Sequence, residues 1–231
     1  PSVNLETHIA DVVNLIRFEG LNDLVLCGHS YGGCVITGVA DRVPERLRAI
    51  VYLDAFILDD GQCLHDAVPP QLRDTQVQAA RAQGDGWRVA PIPAAFFEVN
   101  EADRAWVDAQ CTPQSLATFQ QKLTLRNTPP AAKVTHVLAT GWEHSPFQPF
   151  HDIAKRRGWK TLTIDCGHDV MLDRPADLRP GIGHPHVHGN QGAGSRQGAE
   201  PAGSLRPLEP WPGRHRGRVA PADRKSTRLN S

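Results

Sequence analysis

The feature that most restricts the fold of this chain is a serine set between two glycines, where a predicted strand meets a predicted helix. Residues 28–32 read Gly-His-Ser-Tyr-Gly. They follow a short apolar run, residues 24–27, that is typical of a fully buried parallel strand, and they precede a helical pattern over residues 33–43. A G-x-S-x-G turn in this context holds its serine on a sharp bend, and the glycines let the backbone approach its neighbours. Ser30 is therefore the candidate nucleophile. The turn glycines are Gly28 and Gly32.

Strands and helices alternate on both sides of this turn, which predicts an α/β fold with a mostly parallel sheet. A second apolar strand over residues 49–53 completes a βαβ unit with the first strand. Apolar residues three and four apart predict an amphipathic helix over residues 5–17. The alternation resumes later with a strand over 134–140, a helix over 149–157 and a strand over 160–165.

Between these two blocks the alternation stops and prolines recur, which indicates a helical cap inserted into the core. We predict a core of residues 1–60 and 131–179 and a cap of residues 61–130. Within the cap, short helices are expected over residues 101–110 and 114–125, the second starting after Thr112-Pro113.

The composition changes at about residue 180. Residues 180–231 are rich in glycine, proline and arginine and poor in aliphatic residues, a composition that predicts disorder. The last nine residues, 223–231, are the translation of a common sequencing-adapter sequence. We therefore interpret the tail as a frameshifted reading of a natural closing helix, with a natural disordered tail as the alternative. No metal site is expected from its histidines, which are His184, His186 and His188.

The charge balance excludes several classes of partner. Lysine plus arginine and aspartate plus glutamate both number 25, so no net field favours nucleic acid or an acidic membrane surface. No apolar run reaches the roughly 18 residues of a membrane span. We expect no cofactor and no metal, and the oligomeric state is left open. The cysteines are widely spaced, which predicts reduced, mostly buried thiols in a cytoplasmic protein. They are Cys27, Cys34, Cys63, Cys111 and Cys166.

A serine hydroxyl needs a neighbouring base, and the base in turn needs an acid. His168 is the candidate base, because it follows the last predicted strand and comes after Ser30 in the chain. Two acids compete. Asp54 ends the strand over residues 49–53, whereas Glu143 follows the strand over 134–140. Asp54 is preferred, since a carboxylate set against an apolar run needs a partner to offset its desolvation.

These residues together resemble α/β-fold hydrolases of the esterase and hydroxynitrile-lyase-like branch, which includes plant methyl-ester hydrolases. The resemblance covers residues 3–179 and implies a partial α/β-hydrolase fold. Asp54 also lies where some haloalkane dehalogenases and lipases of this fold keep their acid. The matching stretches are Asn4-Leu5-Glu6-Thr7-His8, residues 25–33, residues 51–56, Gly167-His168-Asp169 and Asp173-Arg174-Pro175.

Members of this group normally begin with a strand whose His-Gly loop donates one N–H to the oxyanion hole, and this chain has no such segment. Only the amide of Tyr31, the residue after the nucleophile, can be assigned. Losing one oxyanion donor costs on the order of 100- to 1000-fold in rate. We therefore expect the intact protein to be active and this polypeptide alone to be inactive.

The expected function is hydrolysis of a small carboxylic ester through an acyl-enzyme, with the ester as a small-molecule partner. One alternative is a hydroxynitrile-lyase-like cleavage, for which the resemblance implies a cap lysine; the candidates are Lys122 and Lys133. Another alternative is a hydrolase-derived protein that binds a small ligand with little turnover. A burst experiment with a chromogenic ester distinguishes these.

Overall fold

A computed structural model of the chain describes residues 3–126 and 132–182, and the statements below concern these residues. They form a four-stranded parallel sheet of order β1-β2-β5-β6, a two-stranded antiparallel ribbon and eight α-helices. The strands are β1 (Leu24–Ser30), β2 (Leu47–Ala55), β3 (Arg88–Val89), β4 (Gln114–Ser115), β5 (Lys133–Ala139) and β6 (Lys160–Ile164). The helices are α1 (Leu5–Phe18), α2 (Gly32–Arg42), α3 (Pro70–Gln83), α4 (Glu101–Gln110), α5 (Ala117–Gln120), α6 (Gln148–Arg156), α7 (Val170–Asp173) and α8 (Pro175–Ile182).

The first helix forms where its apolar spacing predicts. Asn4 caps α1, since its side chain accepts a hydrogen bond from the Thr7 amide at 3.0 Å. One face of the helix is buried against the core, as the three- and four-residue spacing requires. The buried residues are Leu5, Ile9, Val13 and Ile16.

The main sheet is parallel, as predicted for an α/β fold, but one strand differs from the prediction in its burial. β2 lies between β1 and β5, and its last six residues are all buried. The prediction that the strand over residues 24–27 is fully buried is wrong, because Cys27 is exposed and the three residues before it are only half-buried. Within the part of the chain that the structure describes, β1 pairs with β2 alone and is an edge strand.

The segment predicted as a cap holds three helices, and one of the two predicted helices is wrong. α4 has the predicted bounds, and α3, the longest helix of this segment, was not predicted. The expected helix over residues 114–125 is reduced to α5, because β4 pairs with β3 and the backbone turns extended at Gln121. Leu123 is buried and exchanges backbone hydrogen bonds with the loop at residues 61–62, at 2.8 Å each. Long-range pairing thus overrides the local helical pattern.

Two other predictions are corrected or fall outside the described residues. All five cysteines are free, but only Cys34 and Cys63 are buried, so the expectation of mostly buried thiols is wrong. Cys27 is exposed on the edge strand, and Cys111 is exposed just after α4. Of the predicted tail, only residues 180–182 are described, as the end of α8, and its three clustered histidines lie beyond them. None of the described helices is long and apolar enough to cross a membrane.

Candidate active site

Ser30 lies at the end of β1, on a strained turn into α2. Its φ angle is +54°, in the left-handed region that residues other than glycine rarely adopt, at a cost of about 1 kcal/mol or more. The next strand holds this turn in place, because the Phe56 amide donates a hydrogen bond to the Ser30 carbonyl at 3.2 Å. Ser30 itself is half-buried. This geometry matches the strand-turn-helix that the sequence predicts around the serine.

Close packing at the turn requires two glycines, but only one of them was predicted. A Cβ on Gly28 would lie 2.6 Å from the Gly32 carbonyl oxygen, so Gly28 has its predicted role. A Cβ on Gly32 would have no atom within 4 Å, so the expectation that Gly32 permits a close approach is wrong. Gly33 has that role instead. A Cβ there would lie 2.1 Å from the Phe56 carbonyl oxygen, so Gly33 lets α2 lie directly on the end of β2.

Tyr31 follows the serine and precedes the first residue of α2, so its amide has no intrahelical acceptor. Its side chain is fixed between two helices: the phenol shares a 3.0 Å hydrogen bond with His8 Nδ1 of α1, and its ring meets Phe119 of α5 edge-on, with the ring centres 5.8 Å apart. Burial raises the pKa of the Tyr31 phenol. The backbone that carries the candidate oxyanion donor is therefore held from both sides.

Asp54 is displaced from the regular ladder and turned towards the neighbouring strand. The pairing of β1 with β2 runs from His29–Leu53 directly to Ser30–Ala55, so Asp54 is the extra residue of a bulge. Its φ is +42° and its side chain is wholly buried. One carboxylate oxygen, Oδ1, accepts a hydrogen bond from the Ala139 amide at the end of β5, at 3.0 Å.

The other carboxylate oxygen of Asp54 lies 2.7 Å from His168 Nδ1, in a pair that is almost completely buried. His168 follows β6, and its loop is fixed by two hydrogen bonds. Its amide donates to the Phe97 carbonyl at 2.9 Å, and His29 Nε2 donates to its carbonyl at 3.0 Å. Aromatic rings surround the imidazole at 5.0–5.1 Å between ring centres. These rings are Phe97, Trp142 and Phe147.

Burial disfavours the charged form of both members of this pair. It raises the pKa of Asp54 to about 7, against the hydrogen bond from the Ala139 amide, which lowers it. It lowers the pKa of His168 to about 4. Above pH 7 the pair therefore consists of a carboxylate and a neutral imidazole. Because Nδ1–H donates to Asp54, Nε2 is the nitrogen that is free to accept a proton.

Ser30 and His168 both lie at the carboxyl ends of parallel strands, Ser30 at the end of β1 and His168 after β6, but they are not hydrogen-bonded to each other. Among the described residues, the hydrogen bonds include none between Ser30 and His168. His29, the residue before Ser30, packs its ring 4.3 Å from the His168 ring, centre to centre. Its contact with the His168 loop depends on two distant segments and leaves no local signal.

The competing acid and the two cap lysines are all exposed. Glu143 lies in a turn after β5, and Asp54 alone of the two acids bonds to His168. Lys133 begins β5, at the end of the sheet opposite Asp54. Lys122 is exposed beside the buried Leu123. None of the three contributes a hydrogen bond to the His168 pair among the described contacts.

Comparison with known proteins agrees with this architecture. The sequence profile of the alpha/beta hydrolase family matches residues 1–180. The chain is 42% identical over 186 residues to a carbendazim-hydrolysing esterase of Nocardioides sp. strain SG-4G, covering 77% of each protein.

Two solved structures illustrate the structural likeness. One is an extracellular alpha/beta-hydrolase from a Paenibacillus species, said to share structural and functional homology with tobacco salicylic acid binding protein 2. The TM-score is 0.65 at 25% identity, over 76% of this chain and 77% of that one. The other is a pyrethroid hydrolase from Sphingobium faniae JZ-2, which shows the fold alone. The TM-score is 0.58 at 16% identity, over 78% of this chain and 76% of that one. By profile, sequence and fold, the chain belongs to the alpha/beta hydrolase family.

Proposed function

We propose that this hydrolase cleaves a small carboxylic ester through an acyl-enzyme formed on Ser30. The observation that carries the proposal is the buried 2.7 Å hydrogen bond between Asp54 and His168. It lies at the carboxyl ends of the parallel strands, where the strained turn of Ser30 also lies. A buried carboxylate and imidazole are costly to keep, and a reaction that places a transient positive charge on the imidazole uses both.

In this mechanism the Ser30 hydroxyl oxygen attacks the ester carbonyl while His168 Nε2 takes its proton. The tetrahedral intermediate then collapses. The bond to the leaving alkoxide breaks, and the imidazolium returns the proton to the alcohol. Water adds to the acyl-enzyme by the same route and releases the acid. Asp54 stabilises the imidazolium in both halves, and the Tyr31 amide is the proposed donor to the oxyanion.

The side chains near His168 favour a substrate with an apolar group. Phe97 and Trp142 lie against the imidazole, and Phe96, half-exposed, meets both of their rings edge-on. The esterase from Nocardioides is named for the hydrolysis of carbendazim. Carbendazim is therefore a specific substrate to test beside simple chromogenic esters.

The decisive experiment measures product release by the 231-residue chain with 4-nitrophenyl acetate and with carbendazim, beside a Ser30→Ala variant. The missing oxyanion donor alone predicts an inactive chain, but because the Asp54–His168 pair is assembled, we propose slow turnover. We expect more than one equivalent of product per chain from at least one substrate, and only the uncatalysed rate from Ser30→Ala. The Glu143→Gln variant serves as a control, since an exposed residue outside the His168 pair should not alter the rate.

Other outcomes contradict the proposal in distinct ways. Release of one equivalent followed by arrest would indicate a ligand-binding protein with a surviving nucleophile. Unchanged turnover in Ser30→Ala would exclude Ser30 as the nucleophile. No product from either substrate, over the time in which the Ser30→Ala blank is well determined, would contradict ester hydrolysis by this chain.

A further inference from the structure

Two buried histidines outside the His168 pair face each other, one on β5 and one on the helix α6. His136 lies on β5 and is 0% exposed, and His151 lies on α6 and is 3% exposed. Their Nδ1 atoms are 3.3 Å apart and their rings meet at 66°. The other nitrogen of His136, Nε2, lies 3.3 Å from the Ala55 carbonyl oxygen.

These contacts determine where the protons lie. A carbonyl can only accept a hydrogen bond, so His136 Nε2 carries the hydrogen and donates it to Ala55. In a neutral imidazole the remaining nitrogen then accepts, so His151 Nδ1–H donates to His136 Nδ1. Burial lowers the pKa of His136 to about 4 and also lowers the pKa of His151, so both rings are neutral near pH 7. The other charges near His151 are Lys155 and Asp152, both on α6.

The Ala55 carbonyl lies between the two halves of the site. Ala55 directly follows the bulged Asp54, and the next amide, that of Phe56, holds the Ser30 carbonyl. The ladder between β2 and β5 ends one residue before Asp54, at Leu53–Val137. His136 therefore takes up a carbonyl that the ladder no longer pairs, and a buried carbonyl without a partner would be costly.

We propose that His136 is a positioning residue, whose Nε2–H holds the Ala55 carbonyl and so sets the placement of Asp54 relative to Ser30. The inference rests on the proposed roles of Ser30 and Asp54. The Ala55–Phe56 peptide carries both the carbonyl that His136 holds and the amide that holds Ser30, and it lies one residue beyond the bulged Asp54. Its orientation therefore affects how Asp54 is placed relative to Ser30, and a displacement of about 1 Å can cost about 100-fold in rate.

A matched pair of amide variants tests this proposal. In His136→Gln the terminal nitrogen takes the place of Nε2 and can reach the Ala55 carbonyl. In His136→Asn the shorter side chain takes the place of Nδ1 and can reach only His151. Both variants are polar and neither adds volume. The readout is single-turnover acylation by 4-nitrophenyl acetate. It separates the limiting rate constant from the substrate concentration that gives half of that rate.

We expect the limiting acylation rate constant of His136→Gln to lie within about 3-fold of the parent chain, and that of His136→Asn to be about 10- to 100-fold lower. The substrate concentration at half-saturation should stay within about 2-fold in both variants. Equal acylation rates in the two variants would overturn the proposal, as would a loss confined to half-saturation. If the parent chain itself is not acylated, the proposed function has failed instead.

A measurement on the unaltered protein keeps the test independent of variant folding. Nitrogen-15 NMR distinguishes the two neutral imidazole tautomers. The proposal requires His136 to carry its hydrogen on Nε2 at pH 7. A hydrogen on Nδ1 would mean that no bond to the Ala55 carbonyl exists and would overturn the inference.

Discussion

The two halves of the candidate site are built into the fold in opposite ways. Asp54 and His168 are almost wholly buried, bonded at 2.7 Å and packed among aromatic rings. Ser30 is half-buried at the end of β1, an edge strand among the described residues, and makes no described hydrogen bond to His168. The Asp54–His168 half is therefore assembled by the core, whereas the Ser30 half depends on local turn geometry and on contacts with the Phe56 backbone.

This contrast separates what core packing can do from what a turn can do. Burial tunes protonation, since it raises the pKa of Asp54 and lowers the pKa of His168. The turn at Ser30 supplies no such tuning. It presents a hydroxyl at a strained position, and in the proposed mechanism the Asp54–His168 pair activates that hydroxyl. Changes in the two halves should accordingly differ in kind.

The largest expected effect is in the acid–base half. Asp54→Asn should slow acylation by about 10,000-fold, because the amide cannot stabilise the imidazolium and favours the wrong imidazole tautomer. Glu143→Gln should leave the rate within about 2-fold, and stopped-flow measurement with a chromogenic ester compares the two. The reverse order of effects would show that the exposed Glu143 is the acid.

The second expected effect is at the contact between α2 and the end of β2. Gly33→Ala should destabilise the fold by about 3 kcal/mol, because the new Cβ would overlap the Phe56 carbonyl oxygen. Gly32→Ala, one residue earlier, meets no atom within 4 Å and should change stability by less than about 0.5 kcal/mol. Denaturant unfolding measures both. Equal losses of unfolding free energy in the two variants would show that α2 does not lie directly on the end of β2.

The third effect is a pH dependence that the acid–base half imposes on the whole site. The pKa of Asp54 is raised to about 7 and that of His168 is lowered to about 4, so protonation of the carboxyl limits the reaction first. We expect kcat/KM to be constant above about pH 8 and to fall about tenfold per unit below pH 7. A profile that stays flat down to pH 5 would contradict the burial of this pair.

The smallest expected effect is a difference in amide exchange between the edge strand β1 and the central strand β2. Alternate amides of β1 face away from β2, where the described residues supply no further strand. They should exchange with solvent at least about tenfold faster than the amides of β2, which lies between two strands. Hydrogen exchange with peptide mass spectrometry measures this. Equal protection would mean that another segment covers β1.

The same contrast describes what could be read from the sequence. Local patterns sufficed for the serine turn, for α1 and for the placement of Ser30, Asp54 and His168 at the ends of parallel strands. The bulge at Asp54 depends on the register between β1 and β2 and is invisible locally. The helix expected over residues 114–125 failed for a similar reason, since β4 pairs with a strand more than 20 residues away.

Two features of the site escaped sequence reasoning because they are contacts between distant segments. Gly33, rather than the motif glycine Gly32, meets the Phe56 backbone. His29 bonds to the His168 carbonyl across 139 positions. Local sequence carries the identity of such residues but not the partner that gives them a role. The burial of β1 was over-predicted because an apolar run does not reveal how many strands flank it.

Covalent labelling tests most directly whether the buried Asp54–His168 pair activates the half-buried Ser30. The chain is incubated with a fluorophosphonate, and the modified residue is located by peptide mass spectrometry in the parent and in His168→Ala. We expect one adduct per chain, on Ser30, forming at least about 100-fold faster in the parent than in the variant. An adduct on another residue, or equal rates in the two proteins, would contradict that activation.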